Sequence, residues 1–540
     1  MSGAVRKKSM KRRPQEKSMP HPACENPVVL DAAFLLSVKR RIEEVVVPVM
    51  ERIYGHGRTA IPDSFRPELK AIERVVVFYD YQACGLSVLA PLAAAGDRRA
   101  AELVRIIRAN MEHYRTRIHN REVPGFGLWT APLRRLLFHA ALAYRALEPT
   151  LGAREKRAYR RLIEQQVAAA IGHNERFHPG ERRLHLGFAN NHTAIFMQGV
   201  YHCGRVFGRP EWVRLAREFA ERFYASGHPD GYWEEHTNPA REGGPSAVYT
   251  PLTAGCLYDV LDGRRRPRVK FLRAGRFFRS FLTHDGCMIP LADERTNAHA
   301  RHSAYGLALH SLTPRGRGHI VGLLGALDLS GETPETLAVL HHELGLMRTG
   351  RCAAPEYRTD GYFRITLPLG VVRRDGWMAA ISAMRALNRV HQPANDYALD
   401  HQTVVFLAHR EAGAVLTGTK SKHDPEFSTI RIGRDDGYPV DTGTLRMGAD
   451  WAEARLHYAR FDATVRWDLG RRARLTLATD DRREVTTALP IRYPKCLRTD
   501  APFEMVKLKG FSPYSTGNAS DPVTAARFSW RRRLVVEFQR

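Results

Sequence analysis

Apolar positions over the first two-thirds of the chain recur every three or four residues, the spacing that gathers them on one face of an α-helix. Residues 32–54 carry one such stripe. Leu133, Leu136, Leu137, Ala140, Tyr144 and Leu147 form a second. Trp212, Leu215, Ala216, Phe219 and Phe223 form a third, behind Pro210 at a first-turn position. Further helical patterns lie near 98–117, 155–172, 245–261, 267–283, 299–311 and 333–345, and loops such as Val123–Gly127 and His228–Gly231 carry Gly and Pro. A dozen or so helices with no repeat of fixed period favour an α/α toroid over a solenoid. The period changes near Ala354. Phe363–Leu367, Arg474–Thr479 and Arg533–Phe538 alternate, and Met378–Ala383, Thr403–Leu407 and Ala414–Thr417 are short apolar runs between turn residues. That texture reads as an antiparallel sandwich. The expected organisation is a disordered basic tail over 1–28, an (α/α) toroid over 29–350 and a C-terminal antiparallel β-sandwich over 351–540.

Charge narrows the partners. The 540 residues include 83 Lys and Arg against 57 Asp and Glu, a formal net charge of +26. Such a field concentrates anions: nucleic acid, anionic lipid or an acidic polysaccharide. The runs Arg264–Arg266, Arg471–Arg472 and Arg531–Arg533 lack the interleaved aromatics of a single-strand groove, so nucleic acid is not expected. No uninterrupted apolar run reaches membrane-spanning length, so no membrane partner is expected. The seven Cys are scattered without a CxxC pair, which argues against a disulfide framework. The Lys/Arg-rich start is followed by no apolar signal core, so the expected location is cytoplasmic, or periplasmic or secreted if an export leader precedes the sequence.

Chemistry concentrates in three loops. In the first, Leu186–Thr193, an Asn190-Asn191-His192 run stands where a helix begins, because Ile195, Phe196, Gly199, Cys203, Val206 and Phe207 follow at helical spacing. One asparagine suffices to cap a helix, so the second and the histidine are surplus to that purpose. An amide and an imidazole at a helix N-terminus suit an anion. The second loop runs from Asp230 through Tyr232, Trp233, Glu234 and Glu235 to Arg241, Glu242 and Gly243-Gly244-Pro245, with Tyr249 in the first turns of the next helix. Tyr249 shares a rim with Asn191 and His192 if both helices run the same way. It reads as an acid–base group or as a half-buried core tyrosine, and Tyr232 and Trp233 as a sugar platform or as ordinary rim aromatics. The third loop is Asp285–Arg295. HExxH, P-loop and GxSxG motifs are absent. The ten- and eight-residue gaps between His391, His401 and His409 match no recognised ligand spacing, and His341-His342-Glu343 reads as helix surface, so no metal and no cofactor is expected.

On Asn190-Asn191-His192, Gly244-Pro245 to Tyr249 and Asp285 to Pro290, within a toroid followed by a β-domain, the chain resembles the heparinase II/III-like and alginate-lyase group of polysaccharide lyases. The hyaluronate and chondroitin lyases share the two-domain plan. The resemblance implies β-elimination on a uronate-containing anionic polysaccharide or oligosaccharide. Carried over, Asn191 neutralises the uronate carboxylate and His192 and Tyr249 serve as base and acid. It also implies a β-domain histidine, for which His391 and His401 both stand as candidates. The group's usual His-His-Ala-Asp-like run is replaced here by Val390–Asp396 and Asp400-His401-Gln402. Asn190, Trp233, Glu235, Arg241, Glu242, His391 and His401 are the expected substrate-binding positions. The alternatives are a glycoside hydrolase drawing its carboxylates from Asp230, Glu234, Glu235 and Glu242, or a polyanion-binding protein without chemistry.

Overall fold

A computed structural model describes residues 29–54, 81–113, 134–177, 190–234, 244–246, 249–292, 300–301, 304–385, 403–417, 428–433, 440–508 and 523–539. Among them are twelve helices: α1 Ala32–Tyr54, α2 Leu86–Ala94, α3 Arg98–His113, α4 Arg134–Leu147, α5 Ala153–Phe177, α6 Asn190–Val206, α7 Pro210–Ser226, α8 Tyr249–Val260, α9 Val269–Ser280, α10 Leu307–His310, α11 Pro314–Ala326 and α12 Pro334–Leu346. The even-numbered helices pack side by side in chain order and α12 closes back on α2, while the odd-numbered helices pack outside them. This is a two-layered ring. The sequence explains which helix lies in which layer. In α8 every residue from Thr250 to Val260 is buried, as a helix apolar on all sides demands. In α7 Ala216, Ala220 and Phe223 are buried on one stripe, with Trp212, Val213, Phe219 and Tyr224 partly buried beside it. Helix starts are capped where the chain supplies an acceptor: Asp31 Oδ1 takes the Phe34 amide at 2.7 Å, and Thr313 and Thr333 cap α11 and α12, each ahead of a first-turn proline. No described helix is long and apolar enough to cross a membrane.

Two departures from the sequence reading have clear causes. The helix expected over 299–311 is only Leu307–His310, because Gly306 adopts a left-handed backbone (φ 74°) and cuts the pattern. Helix α11, which the reading missed, is rich in glycine. Its Gly318 lies so near the chain after the ring that a Cβ would fall 2.1 Å from the Ala353 carbonyl oxygen. Close approach, not helix propensity, accounts for Gly318 and for Gly316, where a Cβ would fall 1.8 Å from the His310 carbonyl oxygen.

The strands fall into chain order around and after the ring. Strand β1 (Val29–Leu30) pairs with β4 (Gly350–Arg351), strapping the start of the helical region to its end, and β2 (Cys287–Met288) pairs with β3 (Ala300–Arg301). A five-stranded antiparallel meander follows: β5 Gly361–Arg364, β6 Leu369–Arg374, β7 Trp377–Ser382, β8 Val405–His409 and β9 Gly413–Leu416. The remaining strands are β10 Thr442–Met447, β11 Trp451–Tyr458, β12 Phe461–Leu469, β13 Ala473–Thr479, β14 Val485–Pro490, β15 Leu497–Arg498, β16 Phe503–Leu508, β17 Val523–Trp530 and β18 Arg533–Phe538. They form a six-stranded sheet in the order β10-β11-β12-β13-β18-β15 and a three-stranded sheet in the order β14-β17-β16.

The meander is the layer that joins the two halves. Met378, Ala380, Phe406 and Ala408 belong to the helical core, whereas Trp377, Ala379, Ile381, Val405 and Leu407 belong to the core of the β-domain. With both faces buried, these strands read as continuous apolar runs, not as an alternation. Polar ties reinforce the joint. Arg373 of β6 is buried and donates to the Ser280 and Leu282 carbonyls, at 2.6 and 3.0 Å, where α9 ends. Arg279 forms a forked pair with Glu356 at 2.6 and 2.9 Å.

Candidate active site

Helices α6 and α8 lie side by side, and their cross-contacts fix the direction of each. The Cys256 thiol donates to Gln198 Oε1 at 3.3 Å across a sequence gap of 58, and His202 Nε2 meets Asp259 Oδ2 at 2.7 Å across a gap of 57. A constant gap means parallel helices. Carried back toward the helix starts, it sets Tyr249 level with His192 (249 − 192 = 57). Ala194, Ile195, Leu252 and Cys256 form one small apolar cluster directly below, and Tyr305 packs against it. Tyr305 joins two more helix starts to this end of the ring. Its hydroxyl donates to Glu335 Oε1 at 2.9 Å in the first turn of α12 and accepts from Arg135 Nη1 at 3.2 Å in the first turn of α4. Arg135 and Glu335 are themselves ion-paired, and the guanidinium lies over the Tyr81 ring at 4.3 Å. The N-termini of α4, α6, α8 and α12 therefore open on one mouth, and their partial positive charges favour an anion there.

Asn191 is 2% exposed, and its Oδ1 has no hydrogen-bond partner among the described residues. Buried polar atoms are almost always paired, so an orphan asks for an explanation. Amide oxygen and nitrogen trade places by a half-turn of the side chain, so the same point can offer a donor. His192 and Tyr249 are half-buried at the same level. Asn190 is already the first helical residue, so the two asparagines stand in the first turn of α6 instead of ahead of it.

Tyr249 is held by its helix cap. Its backbone N–H donates to Ser246 Oγ at 3.3 Å, and Ser246 is fully buried. Thr250 Oγ1 donates to the Trp233 carbonyl at 2.8 Å, which ties the Asp230–Glu234 loop to the first turn of α8. Gly231 allows that loop to exist: its φ is 95°, and a Cβ would lie 2.3 Å from the Ala274 amide of α9.

Trp233 is not a sugar platform. The indole is 2% exposed, packs under Gly227 and donates from Nε1 to the Phe223 carbonyl at 2.8 Å, so both faces and the polar edge are already engaged. Asp230 is likewise occupied. Burial would raise its carboxyl, but hydrogen bonds from His228 and from the Thr366 amide at 2.7 Å hold it below the usual range. It serves as a link to the turn between β5 and β6. Glu234 is half-buried. Glu235, Arg241, Glu242, His391 and His401, and the side chain of Asn190, lie outside the described residues.

The His341-His342-Glu343 run is not helix surface. His342 Nε2 meets Asp259 Oδ2 at 2.9 Å inside the ring, and the Glu343 carboxylate accepts from the Gly306 and Ala308 amides at 3.0 and 2.8 Å. His409 is buried with its ring 4.7 Å from that of Trp377 and its Nδ1 accepting from the Glu411 amide. The Arg135–Tyr305–Glu335 group also went unread in the sequence. Its members are 170 and 30 residues apart, and only the ring brings them together.

No protein-family model matches the chain, and no curated protein matches it in sequence. Solved structures do match in shape. The Streptomyces coelicolor A3 chondroitin AC lyase in complex with chondroitin sulphate is 14% identical, with a TM-score of 0.52 over 94% of this chain and 80% of that one. Heparinase III is 10% identical, with a TM-score of 0.52 over 83% and 75%. The Paenibacillus xanthan lyase is 11% identical, with a TM-score of 0.52 over 94% of this chain and 60% of that one. At such identities the likeness is one of fold: an α/α toroid followed by an antiparallel β-domain, as in these polysaccharide lyases.

Proposed function

We propose that the chain is a polysaccharide lyase that cleaves a uronate-containing anionic polysaccharide or oligosaccharide by β-elimination. The observation that carries the reading is the buried, unpartnered amide oxygen of Asn191 at the mouth where Tyr249 and His192 stand level. Turned to present its NH2, Asn191 hydrogen-bonds the uronate carboxylate. Negative charge builds on that carboxylate as the C5 proton leaves, so a donor fixed there stabilises the transition state more than the bound substrate. His192 or Tyr249 accepts the C5 proton. The C4–O bond then breaks, a C4=C5 double bond forms, and the Tyr249 hydroxyl protonates the departing glycosidic oxygen. The converging helix N-termini and the net charge of +26 favour both the polyanion and the phenolate character a tyrosine base requires.

The hydrolase alternative loses ground at Asp230, which is spent on Thr366 and His228 and held in its ionised form, unsuited to a general acid. A panel of uronate polymers, scored for near-ultraviolet absorbance of unsaturated uronate, tests the proposal. New absorbance on at least one polymer supports it. New reducing ends without absorbance make the chain a hydrolase, and binding with neither product makes it a polyanion-binding protein.

A further inference from the structure

We propose that His202, Asp259 and His342 form a binding site for a divalent transition-metal ion of the zinc class, set in the inner wall of the ring well below its mouth. The three residues come from three inner helices, α6, α8 and α12, and one ligand-type atom from each lies within 4.8 Å of the others. Both imidazoles turn the same nitrogen inward. His202 Nε2 is 2.7 Å and His342 Nε2 2.9 Å from the single oxygen Asp259 Oδ2. Two imidazoles and a carboxylate are the ligand set of an open zinc site, with metal–ligand distances of about 2.0–2.2 Å and a water in the fourth place. Tetrahedral ligands at such distances stand about 3.3 Å apart, so the site admits the ion once each contact opens by roughly half an ångström.

The surroundings are those of a supported site. Gln198 Nε2 donates to the same Asp259 oxygen at 2.8 Å, and the Cys256 thiol occupies Gln198 Oε1 at 3.3 Å. The thiol thereby fixes which end of the amide faces the carboxylate, the kind of outer contact that orients metal ligands. The Phe138 ring packs at 4.7 Å from His202 and 4.6 Å from His342 and holds both ring planes. His139, also against the Phe138 ring, is engaged by Ser87 Oγ at 2.8 Å and is not part of the cluster. The side chains of His202, Asp259 and His342 are 11%, 6% and 16% exposed, which shelters the ion and leaves His342 as the side of entry.

Along α6, His202 is 11 residues beyond Asn191 (202 − 191), about 16 Å at 1.5 Å per residue. The ion is therefore structural. It pins the last helix of the ring to the two helices that present Asn191 and Tyr249.

The test uses the full chain, stripped with chelator and then titrated with Zn2+, with bound metal counted by elemental analysis and melting followed by circular dichroism. Co2+ replaces Zn2+ in a second titration read by visible absorption. Two variants accompany the wild type. His342→Gln keeps an N–H for Asp259 and so preserves the hydrogen-bonded network while removing a ligand. Gln198→Ala removes only the outer support. The expected result is uptake of about one zinc per chain with a rise in Tm and intense tetrahedral Co2+ bands. His342→Gln folds but loses all three signals, and Gln198→Ala binds zinc about 10- to 100-fold more weakly. Two results overturn the proposal: wild type that takes up no more zinc than His342→Gln, which leaves a hydrogen-bonded cluster only, or a His342→Gln chain that still holds a full equivalent.

Discussion

Replacing Asn191 by alanine separates catalysis from stability, and the structure sets the size of each effect. The amide oxygen is buried without a partner, and an unmet acceptor costs the native state about 1–3 kcal/mol. Alanine removes that cost. It also leaves a void of roughly 25 Å3, worth about 0.6 kcal/mol at ~24 cal/mol per Å3. The net is a gain of up to about 2 kcal/mol, so unfolding free energy should not fall and Tm should shift by a few degrees at most. The catalytic effect is one-sided. Loss of a donor aimed at developing charge lowers kcat by about 10²- to 10³-fold. The assay pairs a melting curve with initial rates on the best polymer from the panel, measured on the same preparation. A fall in Tm of ten degrees or more, with activity lost in step, would make Asn191 a structural residue. Unchanged turnover would remove it from the chemistry altogether.

Three further outcomes are expected. Tyr249→Phe keeps the ring and its packing but removes the transferable proton, so kcat should fall about 10²- to 10⁴-fold with KM little changed, and near-normal turnover would exclude the phenol from proton transfer. KM for an anionic polymer should climb as ionic strength rises, because a net charge of +26 makes long-range attraction a large part of capture; a flat series would mean the basic residues lie away from the cleft. Burial, with Arg373, Arg410 and His409 adding to it, depresses His284 from 6.5 to about 4. Between those values the unfolded chain holds a proton that the folded chain does not, so stability falls as pH drops through the window, by up to ~3 kcal/mol. Denaturant unfolding at pH 6.5 and pH 4 should show His284→Gln losing less stability than wild type by about that amount. Equal losses would show that the His284 proton is bound alike in both states.

The periods of the apolar pattern were enough to read a helical first part and a strand-built second part. Local side chains do that work: the Asp31, Thr313 and Thr333 caps and the stripe of α7 act within a few residues of themselves. The helix start near Asn190 was legible from the same spacing, but its cap was not: both asparagines stand inside the first turn of α6 and not ahead of it. What the sequence could not decide was the inside of the ring. Trp233 looked like a rim aromatic because nothing in its neighbourhood announces that Gly227 leaves room for an indole beneath it. His342 looked solvated because Asp259, its partner, is 83 residues earlier. The parallel course of α6 and α8, which sets Tyr249 level with His192, and the meeting of Arg135, Tyr305 and Glu335 depend on closure of the inner helices into one circle. Closure is a property of all the helix–helix contacts together. No window of sequence contains it, because groups that are distant along the chain become neighbours only when the last helix packs against the first.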